Sequence, residues 1–192
     1  MSNVSTLLVI LGITLGCWTS GFSAWLEMTT PDPTPAHIEV QHADPEGTTF
    51  TVELTGIEQE TVAANGTEYT RFRLPEATFS TIEGAPEVPL ISVWIAIPPT
   101  SDARVHVRSE GEIVLPDVQV LPHSPTPGIY PENEQYYQQN TFFPAETVQV
   151  GDPQILRDVR FVPVLIYPVQ VNPVTRDVKI QTALEIEIVT TG

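Results

Sequence analysis

The alternation of residues near the end of the chain is the feature that most constrains its fold. In residues 178–188 every second position except one carries an aliphatic side chain, in the order Val178, Ile180, Thr182, Leu184, Ile186 and Ile188. Side chains of a β-strand point alternately to the two faces of a sheet, so this period of two predicts a strand with one buried face. The turn-forming residues 172–177 (NPVTRD) and the apolar run 161–167 (FVPVLIY) precede it. Together they predict a C-terminal β-hairpin.

Shorter patterns of the same kind occur earlier in the chain. Phe50, Val52 and Leu54 alternate with polar residues, and residues 91–97 alternate in the same way, with Trp94 on the side opposite the isoleucines. Asn65-Gly66 separates two short runs and is typical of a type I′ hairpin turn. Residues 104–108 and 113–120 are predicted as two further strands. Because no window shows a helical period, we predict an all-β, antiparallel β-sandwich with a jelly-roll-like arrangement.

The N-terminal region has the features of an export signal. Residues 7–15 (LLVILGITL) form an apolar run too short to span a bilayer comfortably, and small residues follow it. The predicted organisation is a signal peptide over residues 1–23, a Pro-rich linker over 24–36 and a sandwich domain over 37–190. Residues 1–6 carry no Lys or Arg, which leaves an uncleaved membrane anchor as an alternative. Lipoprotein processing at Cys17 is a second alternative.

The charge balance excludes two classes of partner. The chain carries 24 acidic and 8 basic residues, a formal net charge of −16. Such a chain repels nucleic acid and anionic lipid, so we expect no nucleic-acid partner and no membrane association after signal removal. Cys17 is the single cysteine. Loss of the signal therefore leaves no thiol for a disulfide or a cysteine nucleophile.

The remaining residues show no motif of catalysis or metal binding. The four histidines, His37, His42, His106 and His123, are not spaced as zinc ligands. The acidic turn at residues 44–47 (DPEG) lacks the pattern of a calcium loop, and Glu132 and Glu134 are two among many acidic residues. We therefore predict no enzymatic activity, cofactor or metal in this chain.

A long segment without a regular hydrophobic pattern contains several aromatic residues. Residues 121–144 contain five prolines and are predicted to form an ordered loop or flap. Its aromatic residues are Tyr130, Tyr136, Tyr137, Phe142 and Phe143. They predict either a surface that contacts protein or sugar, or a hydrophobic plug beneath the loop.

A series of short motifs in the second half resembles a known family. In order they read VPL (88–90), IAIP (95–98), NTFFPAE (140–146), LRDVR (156–160), PV (163–164), YPVQ (167–170) and NPVT (172–175). Their order and spacing resemble the N-terminal propeptide of gingipain-type, family C25, cysteine peptidases, with the match running from about residue 48 to 189. Asp158 stands where that family usually has glycine, and Val171 where it usually has an aromatic residue.

The resemblance implies a role as inhibitor and folding chaperone of a secreted C25 peptidase, with its catalytic domain as partner. The propeptide is then either severed from a longer zymogen or active in trans. Some members of the family place a basic side chain in the specificity pocket of the enzyme. Residues 122–137 contain no Arg or Lys, so Arg104 and Arg108 are the nearest candidates for peptidase contact, with Tyr136 and Tyr137 beside them. The alternative is a stand-alone extracellular module that binds protein or carbohydrate.

Overall fold

The computed structural model describes residues 23–191, and almost all regular structure in them is antiparallel β-strand. The strands are β1 (Ser23–Glu27), β2 (His37–Asp44), β3 (Gly47–Glu53), β4 (Gly56–Ala64), β5 (Thr67–Arg73), β6 (Thr78–Phe79), β7 (Pro89–Ala96), β8 (Asp102–Leu115), β9 (Val148–Val150), β10 (Gln154–Leu156), β11 (Val159–Ile166), β12 (Val169–Asn172) and β13 (Asp177–Thr191). A four-residue helix, α1 (Glu134–Tyr137), lies between β8 and β9. The all-β prediction is confirmed.

The largest sheet is organised around β13. One edge of β13 pairs with β8 over nearly its whole length, and the other edge pairs first with β12 and then with β3. Strand β2 completes this sheet beyond β3. The predicted C-terminal turn joins β12 to β13, and the apolar alternation of β13 is the buried face of the sheet. The other arm of the predicted hairpin is wrong, because most of the apolar run 161–167 belongs to β11, which pairs with β7 in another sheet.

A second sheet packs against the first. Strand β11 pairs with β7 on one edge, and its other edge is shared by β9 and β10. The short β6 lies beyond β7. Aliphatic residues of both sheets, together with one phenylalanine, fill the space between them, with Val162, Val164 and Ile166 of β11 facing Phe50, Leu184, Ile186 and Ile188. Burial of these side chains is the main source of stability for a sandwich of this kind.

A third, three-stranded sheet lies over the other end of β13. It has the order β1-β4-β5. Its residues Ile57 and Phe72 pack with Val171, Val178 and Ile180 in a second buried cluster. Trp25 of β1 lies directly against Gly56, where a larger side chain would meet the indole ring, and its Nε1 donates to the carbonyl of Thr30 at 3.0 Å. The N-terminal strand is thereby tied to the domain.

Two details of the local predictions differ from the structure. Residues 102–115 form one strand, β8, instead of two strands over 104–108 and 113–120, because β13 is long enough to pair with the whole segment. Ser23–Glu27, at the junction of the predicted signal and linker, forms β1 and pairs with β4. The rest of the predicted signal, including Cys17, lies outside the described residues. No helix in residues 23–191 is long and apolar enough to span a membrane.

Candidate partner-binding surfaces

Residues 121–144, called the flap below, run across the third sheet as an ordered loop. Its first residues continue backbone pairing, since Leu121 N donates to Thr70 O at 3.0 Å and His123 N donates to Ala85 O at 2.7 Å. Further on, Asn133 N donates to Gly84 O at 3.0 Å. Asn65, in the turn between β4 and β5, reaches the carbonyl of Tyr130 through its Nδ2 at 2.7 Å. The flap is therefore held at several points by groups far away in the chain.

A nearly buried carboxylate lies beneath the start of the flap. Glu87 accepts a hydrogen bond from Arg71 Nε at 2.7 Å, and its other oxygen lies 2.9 Å from His123 Nδ1. Arg71 also lies 3.7 Å from Glu60, which accepts from Arg73 Nε at 2.9 Å. A buried carboxylate needs such partners, because removal from water penalises its charged form. His123 thus serves as a structural link between flap and sheet.

Two tyrosine hydroxyls complete the attachment. Tyr69 of β5 donates to Glu132 at 2.8 Å, and Tyr137 of α1 donates to the carbonyl of Val120 at 2.8 Å. Burial, together with the neighbouring Glu132 carboxylate, raises the pKa of Tyr69 to about 12. Burial likewise raises the pKa of Tyr137 far above its ordinary range, and the charge of Glu132 adds to the effect. Both phenols are therefore neutral donors that fasten the flap.

The aromatic residues of the flap mostly contact the domain itself. The Tyr136 and Phe143 rings meet edge to face with centroids 5.2 Å apart. Phe143 exchanges two backbone hydrogen bonds of 2.8 Å with Val171 of β12, and the ammonium of Lys179 lies 4.6 Å from the centroid of Phe142. All five aromatic residues are partly buried. These contacts favour the hydrophobic plug over a free aromatic surface.

Residues 124–129 of the flap, called its tip below, form one of its exposed stretches. Residues 124–129 (SPTPGI) are mostly exposed, and Ile129 at their end is 60% exposed. Gly128 adopts a φ of 83°, a conformation that costs glycine little and other residues more. The tip is thus a narrow loop with an apolar residue at its end, carried on a firmly attached base.

A larger apolar surface lies on the solvent side of the second sheet. Trp94 of β7 stacks on Phe161 of β11 with centroids 4.6 Å apart, yet 61% of Trp94 remains exposed. Strand alternation places Leu156 and Val159, both more than half exposed, on the same face at the β10–β11 hairpin. Trp94, Leu156, Val159 and Phe161 are called the apolar face below. The outer face of an antiparallel sheet is usually polar, so a cluster of this kind indicates contact with another macromolecule.

Arg104 lies near the start of β8 and Arg108 nearer its middle, both on its outward side. Arg108 Nη2 is 2.9 Å from Glu110 and 3.1 Å from Glu185 of β13. Arg104 lies opposite Val189 in the register of the two strands. Both side chains are exposed, but they extend from a flat strand and not from a projecting loop.

The described part of the chain shows no group of side chains arranged to hold a metal ion. Within residues 23–191 no three His, Cys, Asp or Glu side chains converge as a metal site. The turn carboxylate of Asp44 accepts from the backbone N–H groups of Glu46 and Gly47 at 2.8 and 3.0 Å, and its second oxygen lies 2.9 Å from His42 Nε2.

The sequence of this domain matches that of a known protein family. The family model described as Propeptide_C25 matches residues 48–191, which is most of the chain and nearly all of the described domain. The chain belongs to the C25 propeptide family. The resemblance of its motifs to gingipain propeptides is therefore confirmed, and a propeptide family agrees with the expectation that this chain is not itself a catalytic domain.

Several gingipains of Porphyromonas gingivalis are similar in sequence. Gingipain R1 is 34% identical over 116 residues, covering 55% of this chain and 11% of that protein. Lys-gingipain is 29% identical over 152 residues, covering 71% of this chain and 8% of that protein. The chain therefore spans about a tenth of the length of these relatives.

Two solved structures are similar in fold. One is the complex of the RgpB pro- and mature domains of P. gingivalis, with 26% identity and a TM-score of 0.74 over 81% of this chain and 84% of that chain. The other concerns the zymogenic latency of gingipain K from the same organism, with 24% identity and a TM-score of 0.73 over 88% of this chain and 98% of that chain. At 24% identity, the gingipain K structure shows similarity of fold alone.

The structure of this C25 propeptide also explains one departure from its family. Asp158 occupies the glycine position of the LRDVR motif and has a φ of 68°, and Arg157 before it has a φ of 48°. The two residues form the tight turn between β10 and β11. Left-handed backbone is the physical reason for glycine there.

Sequence reasoning missed the apolar face because it weighed the aromatic residues of the flap instead. The available signal was Trp94, a large apolar residue on the side of β7 that its alternation assigns to solvent. Leu156 and Val159 gave no such signal, since a short hairpin with apolar residues on both sides has no clear inward face.

Proposed function

We propose that this C25 propeptide binds the catalytic domain of a secreted C25 cysteine peptidase, keeps it latent and assists its folding. The observation that carries the proposal is the family match over residues 48–191, joined to the fold shared with a pro-domain solved in complex with its mature domain. The propeptide contributes contact surface to this complex, and the peptidase contributes the catalytic groups.

Two surfaces support binding of a partner. The apolar face exposes Trp94 and Leu156 to solvent, and burial of such side chains against a partner contributes favourably to association. The flap tip with Ile129 is narrow and stands on a base fastened by Tyr69 and Tyr137. A loop that is already ordered loses little entropy when it enters a cleft. In this proposal the tip blocks substrate access and the apolar face supplies affinity.

The four residues that the sequence predicted to contact a peptidase lie in different surroundings. Tyr137 is an internal support of the flap, because its hydroxyl bonds to Val120 O. Tyr136 packs on Phe143 at the margin of the flap and reaches a partner only at its exposed edge. Arg104 and Arg108 lie on β8, in a different sheet from the β10–β11 hairpin, and in this proposal they are not part of the contact.

The direct test mixes the chain with a mature C25 catalytic domain from the organism that encodes it. Fluorogenic peptide turnover gives inhibition, and biolayer interferometry gives affinity. We expect one-to-one binding with loss of turnover, and a higher yield of active peptidase when the enzyme refolds with the chain present. Full turnover at saturating propeptide would refute latency, and an unchanged refolding yield would refute the chaperone role.

Variants separate the two surfaces. Leu156→Asp is expected to weaken binding by about tenfold or more, since it places a charge in the buried centre of the contact. Ile129→Asp is expected to reduce inhibition more than binding. Val174→Asp is the matched control, because Val174 is an exposed apolar residue in the turn before β13 and outside both surfaces. Binding without inhibition by the unaltered chain would indicate a stand-alone binding module instead.

Export is part of the same proposal. Cleavage after Ser23 leaves Ala24–Glu27 of β1 paired with β4, and it removes the pairing of Ser23 with Glu60 and the Ser23 hydroxyl that donates to Glu58 at 2.6 Å. We expect N-terminal sequencing of the exported product to begin at Ala24. A lipid-modified N-terminus at Cys17 would replace this part of the proposal by lipoprotein anchoring.

A further inference from the structure

Strand β8 is an edge of the largest sheet. It pairs with β13 from Asp102 to Leu115, and in the described part of the chain no strand pairs with its other side. The backbone N–H and C=O groups that point away from β13 are thus available to another strand, as at any open sheet edge. The pairing with β13 is irregular around Gly111, whereas residues 102–109 are in regular register. The regular half is the part suited to accept a partner strand.

The outward face of that half carries two arginines, with Asp102 at its end, in a chain of net charge −16. Arg104, His106 and Arg108 follow one another at alternate positions. Arg108 is 3.1 Å from Glu185 of β13, so this face already pairs with an acidic strand on its closed side. Arg104 has no carboxylate within ion-pair distance among residues 23–191. An acidic side chain on an added strand would lie beside these groups.

The inward face of the same half borders an open groove of about 400 Å³. Val105 and Val107 line one side of the groove, and Val148 lines the other. Val107 belongs to the apolar side of β8 but is 42% exposed, because the second sheet does not extend over it. An apolar side chain entering the groove would cover Val107 and remove it from water.

We propose that residues 104–109 of β8 bind an extended strand of a partner protein in which acidic and apolar side chains alternate. The acidic side chains lie beside Arg104 and Arg108, the apolar ones enter the groove at Val107, and the backbone continues the sheet. Strand β13 has this chemistry on the closed side, with Glu185 and Glu187 alternating with Leu184, Ile186 and Ile188. The site lies on a different sheet from the apolar face, and the proposal does not require a peptidase as partner.

A peptide copy of residues 183–190 (ALEIEIVT), with blocked ends and a fluorescent label, is the probe. Fluorescence anisotropy with the full chain measures affinity, and hydrogen–deuterium exchange locates the bound strand. We expect saturable binding and slower exchange of the amides at residues 104–109, with exchange in β13 unchanged. Arg104→Glu is expected to weaken binding by about tenfold, since it replaces attraction by repulsion next to an acidic strand.

The control peptide matches the probe in length and in the number of charged residues, and the control variant makes the same charge change as Arg104→Glu. A peptide with both glutamates replaced by lysine is expected not to bind. Arg157→Glu makes the same charge change at an exposed site on the β10–β11 turn and is expected to leave the affinity unchanged. Equal binding of the two peptides, or equal loss in the two variants, would overturn the proposal. Protection of residues 104–109 that grows with chain concentration alone would also overturn it, because a second copy would then be the occupant.

Discussion

At the scale of single residues, Tyr69 links the third sheet to the flap through a hydrogen bond that needs its proton. The side chain is 4% exposed, and its hydroxyl donates to Glu132 at 2.8 Å. Ionisation would place a phenolate beside a carboxylate in a region that excludes water, and the pKa of Tyr69 is raised to about 12 for that reason. The neutral form is favoured in the folded chain over the unfolded one.

We expect this bond to make the chain sensitive to alkali. A group with a raised pKa in the folded state contributes stability below its unfolded value, near 10 for tyrosine, and loses it as the pH rises toward about 12. Unfolding midpoints measured from pH 8 upward should fall less steeply in Tyr69→Phe, which has no proton to lose. Parallel curves for the two proteins would show that Tyr69 does not carry the effect.

Asp158 offers a second test at this scale. Its φ of 68° is unfavourable for a residue with a Cβ, whereas glycine adopts it freely. Asp158→Gly is expected to raise the free energy of unfolding by about 0.5 kcal/mol, because relief of left-handed strain exceeds the added entropy of the unfolded chain. Asp152→Gly, at a nearby position without positive φ, should lower it. Chemical denaturation measures both, and a loss of stability in Asp158→Gly would contradict the account.

At the scale of elements, the β4–β5 hairpin and the flap depend on each other. The Asn65-Gly66 turn has positive φ at both residues, 51° and 76°, as a type I′ turn requires. Asn65 uses its side chain in addition, donating to Tyr130 O across the top of the flap. One residue thus serves a local turn and a distant loop.

Asn65→Gly separates these two roles, since glycine keeps the turn and removes the amide. Amides in residues 124–133 are expected to exchange about fivefold faster, because the loss of one neutral hydrogen bond lowers the free energy needed to open the flap locally. Hydrogen–deuterium exchange of β12 and β13 in the same sample is the internal control and should not change. Unaltered exchange in the flap would mean that its other attachments suffice.

At the scale of the whole molecule, β13 connects both hydrophobic clusters. Leu184, Ile186 and Ile188 lie in the core between the two large sheets, while Val178 and Ile180 lie beneath the third sheet. A strand shared by two cores couples their stabilities, because neither core can open without disturbing it.

We therefore expect one cooperative unfolding transition. Ile186→Ala and Ile180→Ala, one in each core, should each lower the free energy of unfolding by about 3 kcal/mol while the transition stays single. Val114→Ala, at an exposed position on β8, should change it little. Far-UV circular dichroism and tryptophan fluorescence followed together provide the measurement. Separate midpoints for the two signals would show that the third sheet unfolds independently.

Local patterns in the sequence determined the class of this fold and several of its elements. The alternation in residues 178–188, the Asn65-Gly66 turn and the sides of β7 follow from backbone geometry and neighbouring residues, so they are readable without a structure. The ordered motifs of the second half likewise identified the propeptide family.

Only the tertiary structure decided how these pieces meet. The continuity of β8 depends on β13, the placement of β1 depends on β4, and the attachment of the flap depends on Tyr69, Glu87 and Asn65. The apolar face and the groove beside Val107 exist because one sheet leaves part of another uncovered. Exposure is a property of what packs against a residue, and residues distant in the chain supply that packing.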